Sequence, residues 1–145
     1  MLAEHSPWVM GVFAFFGLAF IAAWLLDPAA RRWRRFKRQL KSRPAVSDES
    51  LFTIHFTSEE ALPQVPGVVR RLMGQDSGVP VDQLLPDDDL GFLWEDLEAI
   101  ILQEQLEAEF SVRFTEEELQ SLNACTIRQV TRLITRKLRE SSPGT

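Results

Sequence analysis

The most restrictive feature of this sequence is an apolar run of 19 residues, Trp8–Leu26, without a charged or strongly polar side chain. At about 1.5 Å of rise per residue, a helix of this length measures about 29 Å. That length matches the hydrocarbon core of a bilayer, which is roughly 30 Å thick. A signal peptide carries its cations before the apolar run, whereas here Glu4 and His5 precede it. The sequence therefore predicts a short external N-terminus at 1–7 and an uncleaved transmembrane helix at 8–26.

The charge of the chain is divided between its two parts. Residues 1–43 hold 8 Lys/Arg and 2 acids, a net charge of +6, and residues 44–145 hold 8 Lys/Arg and 19 acids, a net charge of −11. Cations that directly follow a span mark its cytoplasmic side. We therefore expect a single-pass protein of the bacterial inner membrane, with its C-terminal domain in the cytoplasm.

A basic juxtamembrane segment, 27–43, follows the predicted span. Trp33 and Phe36 recur at helical spacing among its cations. The segment can therefore lie on the membrane surface, with rings inward and cations among anionic headgroups. Alternatively, the cations only fix the topology of the span, and neither interpretation requires a nucleic-acid partner. The residues predicted to contact membrane lipid are Arg31, Arg32, Trp33, Arg34, Arg35, Phe36, Lys37 and Arg38.

Residues 44–58 are predicted to form a linker that ends in a short strand. The first part is polar and contains Pro44, which is typical of a connecting segment. Further along, Phe52, Ile54 and Phe56 alternate with polar residues, and this is the period of a half-buried strand. His55 falls on the polar side of that alternation, where we expect a surface histidine.

The acidic part from 59 to 140 is predicted to be a helical domain, followed by a disordered tail at 141–145. Helix signals recur along it: a helix that starts near Pro66, a capping box formed by Thr115 and Glu118, and a cap at Thr126. The expected core stripe of the first of these helices is Val65, Val68, Val69 and Leu72, and that of the last is Ile127, Val130, Ile134 and Leu138.

The longest helix candidate, Glu95–Phe110, carries two apolar stripes on opposite sides. Ala99, Leu102, Leu106 and Phe110 form one stripe, and Leu97, Ile100, Ile101 and Ala108 form the other. A helix in a small domain needs one stripe for its core, so the second is either covered by a further element or left as a docking face. Acids surround both stripes, and no Lys or Arg does. The predicted partner-binding residues are Glu95, Asp96, Leu97, Glu98, Ile100, Ile101 and Glu104.

The last helix also carries a row of cations on one side, formed by Arg128, Arg132, Arg136 and Arg139. One interpretation is a solvated face with favourable charges near a helix C-terminus. The other is a contact with headgroups, with an acidic helix of a partner, or with another copy of the domain. Both stay open at the level of sequence.

Residues with catalytic or metal-binding chemistry are scarce in this chain. Its only cysteine is Cys125 and its only histidines are His5 and His55, which excludes a four-cysteine zinc site. The acidic run 87–89 lacks the ligand spacing of a calcium loop. No phosphate-binding loop and no nucleophile elbow occur. We therefore expect no enzyme activity, no metal and no cofactor.

From Val65 to Leu138 the sequence resembles the acyl carrier protein family. The motifs that carry this resemblance are Gly74, Gly78 and Val79 at the end of the first helix, the loop that ends in Asp89-Leu90-Gly91, the helix that ends in Glu107–Phe110, and the turn Phe114–Glu118 that leads to Thr126-Ile127. The resemblance implies a four-helix bundle in which the second helix recognises partners. The expected fold class is therefore all-α, with an acyl-carrier-like four-helix bundle preceded by a single transmembrane helix.

One departure from the family concerns the attachment of its prosthetic group. Members join 4'-phosphopantetheine to the serine of an Asp-Ser-Leu motif at the start of the second helix. Counted back from Phe110, that motif falls on Glu95-Asp96-Leu97. The carboxylate of Asp96 cannot form the phosphodiester, and Ser77, Ser111 and Ser121 lack the sequence context of an attachment site.

The function predicted from these observations is that of a membrane-anchored, non-catalytic module that docks a protein partner. The partner would have a basic docking groove, as an enzyme of acyl or lipid metabolism or a membrane complex could. Two alternatives stay open. One is a working carrier in lipid or polyketide synthesis, modified at an unexpected serine. The other is a small structural subunit whose main contacts are made by the span.

Overall fold

The computed structural model describes residues 17, 20–23, 27–58, 61–75, 77–93, 96–122 and 125–141. The chain divides into two compact units, Met1–Gln39 and Leu40–Thr145. In the described ranges the regular structure is entirely helical, with no strand. The predicted all-α class is therefore confirmed.

The predicted transmembrane helix falls largely outside the described residues. Of residues 8–26, only 17 and 20–23 are described, and these are helical. Among the helices that are described, none has the length and apolar character needed to cross a membrane. The predicted N-terminus at 1–7 lies outside the described residues. Of the predicted tail at 141–145 only Ser141 is described, and it is the last residue of a helix, not part of a disordered tail.

The basic segment forms the first complete helix, α1, Pro28–Lys41. Asp27 precedes it, and the Asp27 carboxylate accepts a hydrogen bond from the Ala29 amide at 2.9 Å. This pairing and a proline at the first helical position are both typical of a helix start. The Trp33 and Phe36 rings stack with their centroids 6.2 Å apart. Phe36 is 8 % exposed and Leu40 is 1 % exposed.

The strand predicted within 44–58 is wrong, because this segment contains helix α2, Asp48–His55. The Ser47 hydroxyl caps the helix by accepting from the Ser50 amide at 3.2 Å. Two acids in the first turn favour the helix N-terminus electrostatically. These start signals outweigh a short alternation of apolar residues. The segment is not a simple linker either, because Leu51 and Phe56 are fully buried.

Helix α3, Val65–Gly74, occupies the centre of the second unit. It contacts α2, and it also contacts the two long helices that follow, α4 (Asp96–Phe110) and α6 (Ile127–Ser141). Val65, Val69 and Met73 are completely buried in this packing. The Pro66 start expected from the sequence agrees with the structure, where Pro66 lies in the first turn.

The glycines that close α3 have distinct structural roles. A Cβ atom on Gly74 would lie 2.8 Å from Cγ2 of Val81, so glycine allows the short 3-10 turn Val81–Gln83 to pack closely on the helix. Gly78 has a φ of +68°, in the left-handed region that favours glycine. Glycine is therefore favoured at position 74 by close packing and at position 78 by the left-handed backbone.

The predicted caps of the last two helices are confirmed. A short helix, α5 (Glu116–Gln120), has a complete capping box, in which the Glu118 amide donates to Thr115 Oγ1 and the Thr115 amide donates to the Glu118 carboxylate. Thr126 accepts from the amide of Gln129 at 3.2 Å and caps α6. The stripe of α6 is buried at Ile127, Val130 and Ile134, whereas Leu138 is only half-buried.

Candidate partner-docking site

Helix α4 buries the two leucines of one apolar stripe and exposes the two isoleucines of the other. Leu102 and Leu106 are 6 % and 4 % exposed, and they face the core of the unit. On the opposite side, Ile100 and Ile101 are 53 % and 46 % exposed. Single exposed apolar side chains are common on protein surfaces, whereas neighbouring ones form an apolar patch of the kind that can mark an interaction site.

Acidic side chains accompany the exposed isoleucines. Glu98 and Glu104 are both exposed, and at 3.6 residues per turn Glu104 falls between Ile100 and Ile101 around the helix. We call Glu98, Ile100, Ile101 and Glu104 the outer face of α4. The other three predicted partner-binding residues are less well defined. Glu95 lies outside the described residues, and Asp96 and Leu97 are described only as the first two residues of the helix.

One acid of α4 has a structural role that its sequence position does not reveal. Glu107 is 8 % exposed. Its carboxylate accepts hydrogen bonds from the Phe114 amide at 2.8 Å, Gln103 Nε2 at 3.2 Å and Arg113 Nη1 at 3.0 Å. The Phe114 amide is the main reason that the pKa of Glu107 lies below its ordinary value of 4.5. Glu107 therefore holds the chain that follows α4 against the helix.

We expect the substitution Glu107→Gln to lower the free energy of unfolding by about 1–2 kcal/mol at neutral pH, because it removes charge-assisted hydrogen bonds. The folded-state pKa lies below 4.5, so this stabilisation is present above that pH and is lost as the pH falls through the folded-state pKa. Denaturant unfolding at pH 7 and at successively lower pH measures the difference. The control is Glu109→Gln, because Glu109 is exposed on the same helix. An equal loss for both variants, or a difference that persists in acid, would contradict this role.

A mainly apolar cavity of about 290 Å³ lies beneath α4. Leu102 and Leu106 line it from α4, Leu119 from α5, and Val130 and Leu133 from α6. Ala99 and Ile100 also line the cavity, and both are exposed. The cavity therefore reaches the surface beside the outer face of α4.

Cys125 lines the same cavity and is half-buried. Burial raises the pKa of its thiol to about 11. A thiol with so high a pKa is protonated at neutral pH and is a poor nucleophile or metal ligand. Its place in the cavity wall is that of a small apolar residue.

The arginine row of α6 is partly used inside the unit. Arg128 forms a two-pronged ion pair with Asp87, at 2.6 Å through Nε and 2.9 Å through Nη2. It also donates to the carbonyl of His55 at 3.1 Å and lies 5.3 Å from the centre of the Phe56 ring. Arg136 Nη2 lies 3.3 Å from Glu118. Arg128 thus connects α2 and the acidic loop at 87–89 to α6, a role that its helical position did not indicate.

The acidic loop is held by cations and by backbone amides. Bonding to Arg128 lowers the pKa of Asp87. Asp88 accepts from Arg43 Nη1 at 2.7 Å and from the Leu85 amide at 2.8 Å, and Asp89 accepts from the Gly91 amide at 3.0 Å. Among the described residues, no group of His, Cys, Asp or Glu side chains is arranged to hold a metal ion.

Of the three serines weighed above as attachment residues, two donate local hydrogen bonds. Ser77 Oγ donates to the Gly74 carbonyl at 2.6 Å, and Ser121 Oγ donates to the Glu118 carbonyl at 2.6 Å. Ser111 is exposed, with a φ of 52° just after the end of α4. None of the three stands at the start of a long helix.

The residues predicted to contact lipid lie on α1. Arg31, Arg32, Arg35, Lys37 and Arg38 are exposed, and Trp33 and Arg34 are half-buried. Phe36 is buried. The contact of these residues with lipid stays a prediction.

Comparisons with known proteins add no assignment to this site. No protein family, no curated protein and no solved structure matches the chain.

Proposed function

We propose that this chain is a non-catalytic docking module that binds a protein partner through the outer face of α4. In this proposal α3, α4, α5 and α6 form an acyl-carrier-like four-helix bundle, residues 8–26 anchor it in a membrane, and the bundle lies in the cytoplasm. The observation that carries the proposal is the exposure of Ile100 and Ile101 on a helix whose other stripe is buried.

The charge around these isoleucines favours a basic partner. Glu98 and Glu104 are exposed beside them, and α4 carries no Lys or Arg. Two copies of this face would bring acid against acid, which disfavours a symmetric dimer through α4. A partner with Lys or Arg around an apolar groove fits both the charge and the isoleucines.

The two kinds of side chain would contribute differently to binding. Exposed acids attract a basic partner over about 8–10 Å in physiological salt, so they mainly raise the association rate. Once the faces meet, the isoleucines lose their contact with water, and this burial supplies most of the affinity. Both groups lie on a regular helix packed on a core, so the face is preformed before the partner arrives.

The start of α4 supports docking without a covalent arm. The helix begins at Asp96, the position that corresponds to the attachment serine of the acyl carrier protein family. A carboxylate there offers no hydroxyl to form the phosphodiester. The local hydrogen bonds of Ser77 and Ser121 disfavour either serine as a substitute.

The second candidate function is a working carrier of apolar groups. The observation that favours it is the cavity of about 290 Å³ between α4, α5 and α6, which could shield an apolar chain from water. This candidate requires a covalent arm on the native polypeptide, whereas the docking proposal does not.

Site-specific photo-crosslinking tests the docking proposal. A photoreactive amino acid replaces Ile101 in the full chain, which is expressed in its native membranes. The matched control carries the same group at Gln120, an exposed residue of α5. We expect a discrete crosslinked protein at position 101 and none at position 120. The same products at both positions, or none at 101, would contradict the proposal.

A further inference from the structure

Helix α1 carries an unusual concentration of positive charge. It contains seven Lys and Arg residues and no acid. Six of the cations are exposed: Arg31, Arg32, Arg35, Lys37, Arg38 and Lys41. At 3.6 residues per turn, these six spread over an arc of roughly 220° around the helix. We call them the cationic arc.

The apolar side of the same helix is narrow. Trp33, Phe36 and Leu40 share the remaining sector of the helix. Phe36 is 8 % exposed and Leu40 is 1 % exposed. Trp33 is half-buried, and the Lys37 ammonium lies 5.2 Å from the centre of its ring. The exposed surface of α1 is therefore mainly charged, and Phe36 and Leu40 expose little of their area.

We propose that the cationic arc rests on the phosphate headgroups of an anionic bilayer as an electrostatic contact, without insertion of an aromatic ring. Arginine matches this partner because its guanidinium group can form two parallel hydrogen bonds to one phosphate. The contact involves α1 alone. It rests on the membrane anchor proposed for residues 8–26 and is independent of the docking proposed for α4.

The position of the arc in the chain argues for a lipid surface over other anionic partners. Arg31 follows the apolar run Trp8–Leu26 after only four residues. In whatever bilayer that run enters, the arc lies next to the headgroups. Nucleic acid, or the acidic α4 of a second copy, would have to compete with headgroups that already lie next to the arc.

A contact of this kind has a distinctive dependence on salt. Charges on an exposed surface are screened over about 10 Å at 0.1 M salt and over about 3 Å at 1 M. Burial of an aromatic ring in lipid would persist at high salt. Electrostatic contact with the headgroups and insertion of an aromatic ring can therefore be distinguished in one experiment on the intact chain.

The test uses the full chain with a fluorophore on Gln39→Cys in a Cys125→Ser background. Gln39 is exposed within the arc. The chain is reconstituted in vesicles of phosphatidylcholine alone, or with about 30 % phosphatidylglycerol as the anionic component. Each vesicle contains a lipid with a nitroxide on its headgroup, which quenches fluorescence only at short range. We expect stronger quenching on the anionic vesicles, and loss of that increment at about 1 M salt.

The matched variants change three charges each. The triple variant Arg32→Gln, Arg35→Gln, Arg38→Gln should lower the affinity of the arc for anionic lipid by on the order of 100-fold. The control Arg71→Gln, Arg132→Gln, Arg139→Gln removes three exposed cations from other helices and should keep the quenching. The salt titration of the unmodified arc decides the question even if a variant misfolds.

Three outcomes would overturn the inference. Equal quenching on neutral and anionic vesicles would mean that the cations only set topology. An increment that survives high salt would mean that a ring or another apolar group inserts. Quenching that depends on protein density in neutral vesicles would mean that the arc binds a second copy of the chain.

Discussion

Replacing Asp48 with alanine should lower the free energy of unfolding by about 2 kcal/mol. Asp48 Oδ1 accepts a hydrogen bond from Arg70 Nη2, and the Arg70 side chain is only 4 % exposed. Without the carboxylate, Arg70 keeps the carbonyl of Val46 as an acceptor at 2.8 Å, and its Nε has no partner among the described residues. The cost is below the 3–5 kcal/mol expected, on the order of magnitude, for a fully buried pair, because the Asp48 side chain is 62 % exposed.

The control for this prediction is Glu49→Ala. Both acids lie in the first turn of α2, so both lose the same favourable interaction with the helix dipole. Only Asp48 faces Arg70. In an Arg70→Met background, the cost of Asp48→Ala should fall to that of Glu49→Ala, which denaturant unfolding can measure as a double-mutant cycle. Equal costs for Asp48→Ala and Glu49→Ala in the unmodified chain would contradict the assigned pairing.

Substitutions on the outer face of α4 should have the largest effects on partner binding. We expect Ile100→Ala with Ile101→Ala to weaken binding of the protein captured at position 101 by on the order of 100-fold, mainly through faster dissociation, because large apolar contacts at the centre of an interface dominate affinity. Glu98→Lys with Glu104→Lys should instead slow association by about tenfold or more at low salt. Surface plasmon resonance with the captured protein separates the two rates.

The matched control for the charge reversal lies on α5. Glu116→Lys with Glu117→Lys makes the same change of net charge at two exposed positions and should leave both rates close to those of the unmodified chain. If it slows association as much as the change on α4, the attraction belongs to the net charge of the domain. If the isoleucine variant binds normally, the outer face is not the interface.

Local signals in the sequence were sufficient to predict where several helices begin. The capping box of Thr115 and Glu118 and the cap at Thr126 involve residues three apart in sequence. Interactions of this range are set by the chain itself, so they can be read before the fold is known. The two stripes of α4 are equally local, and the structure buries the stripe of Leu102 and Leu106 while it exposes Ile100 and Ile101.

The error at α2 shows the limit of a short periodic pattern. Phe52, Ile54 and Phe56 alternate over only five residues, too few to separate a strand from one or two turns of helix. In the structure Phe56 is fully buried and Ile54 is 67 % exposed. The cap at Ser47 was the better signal, because it satisfies an amide at a helix start whatever the pattern that follows.

Contacts between distant parts of the chain could not be predicted from the sequence. Arg128 meets Asp87 across 41 positions, and Arg70 meets Asp48 across 22. The Glu107 carboxylate accepts from the amide of Phe114, which is only seven positions along but comes after the end of the helix, where the path of the chain is not given by helical spacing. The cavity beside the outer face has the same origin, since three helices contribute its walls. Each of these features depends on packing that no single segment specifies.

Intact mass spectrometry of the full chain, purified from its native membranes, tests most directly whether the helical domain lacks a covalent phosphopantetheine arm, as the docking proposal requires. With Asp96 at the first position of α4, the polypeptide should have the mass of its unmodified sequence before and after incubation with a phosphopantetheinyl transferase and coenzyme A. A native chain heavier by one phosphopantetheine arm, with the arm mapped to any serine, would contradict the proposed function.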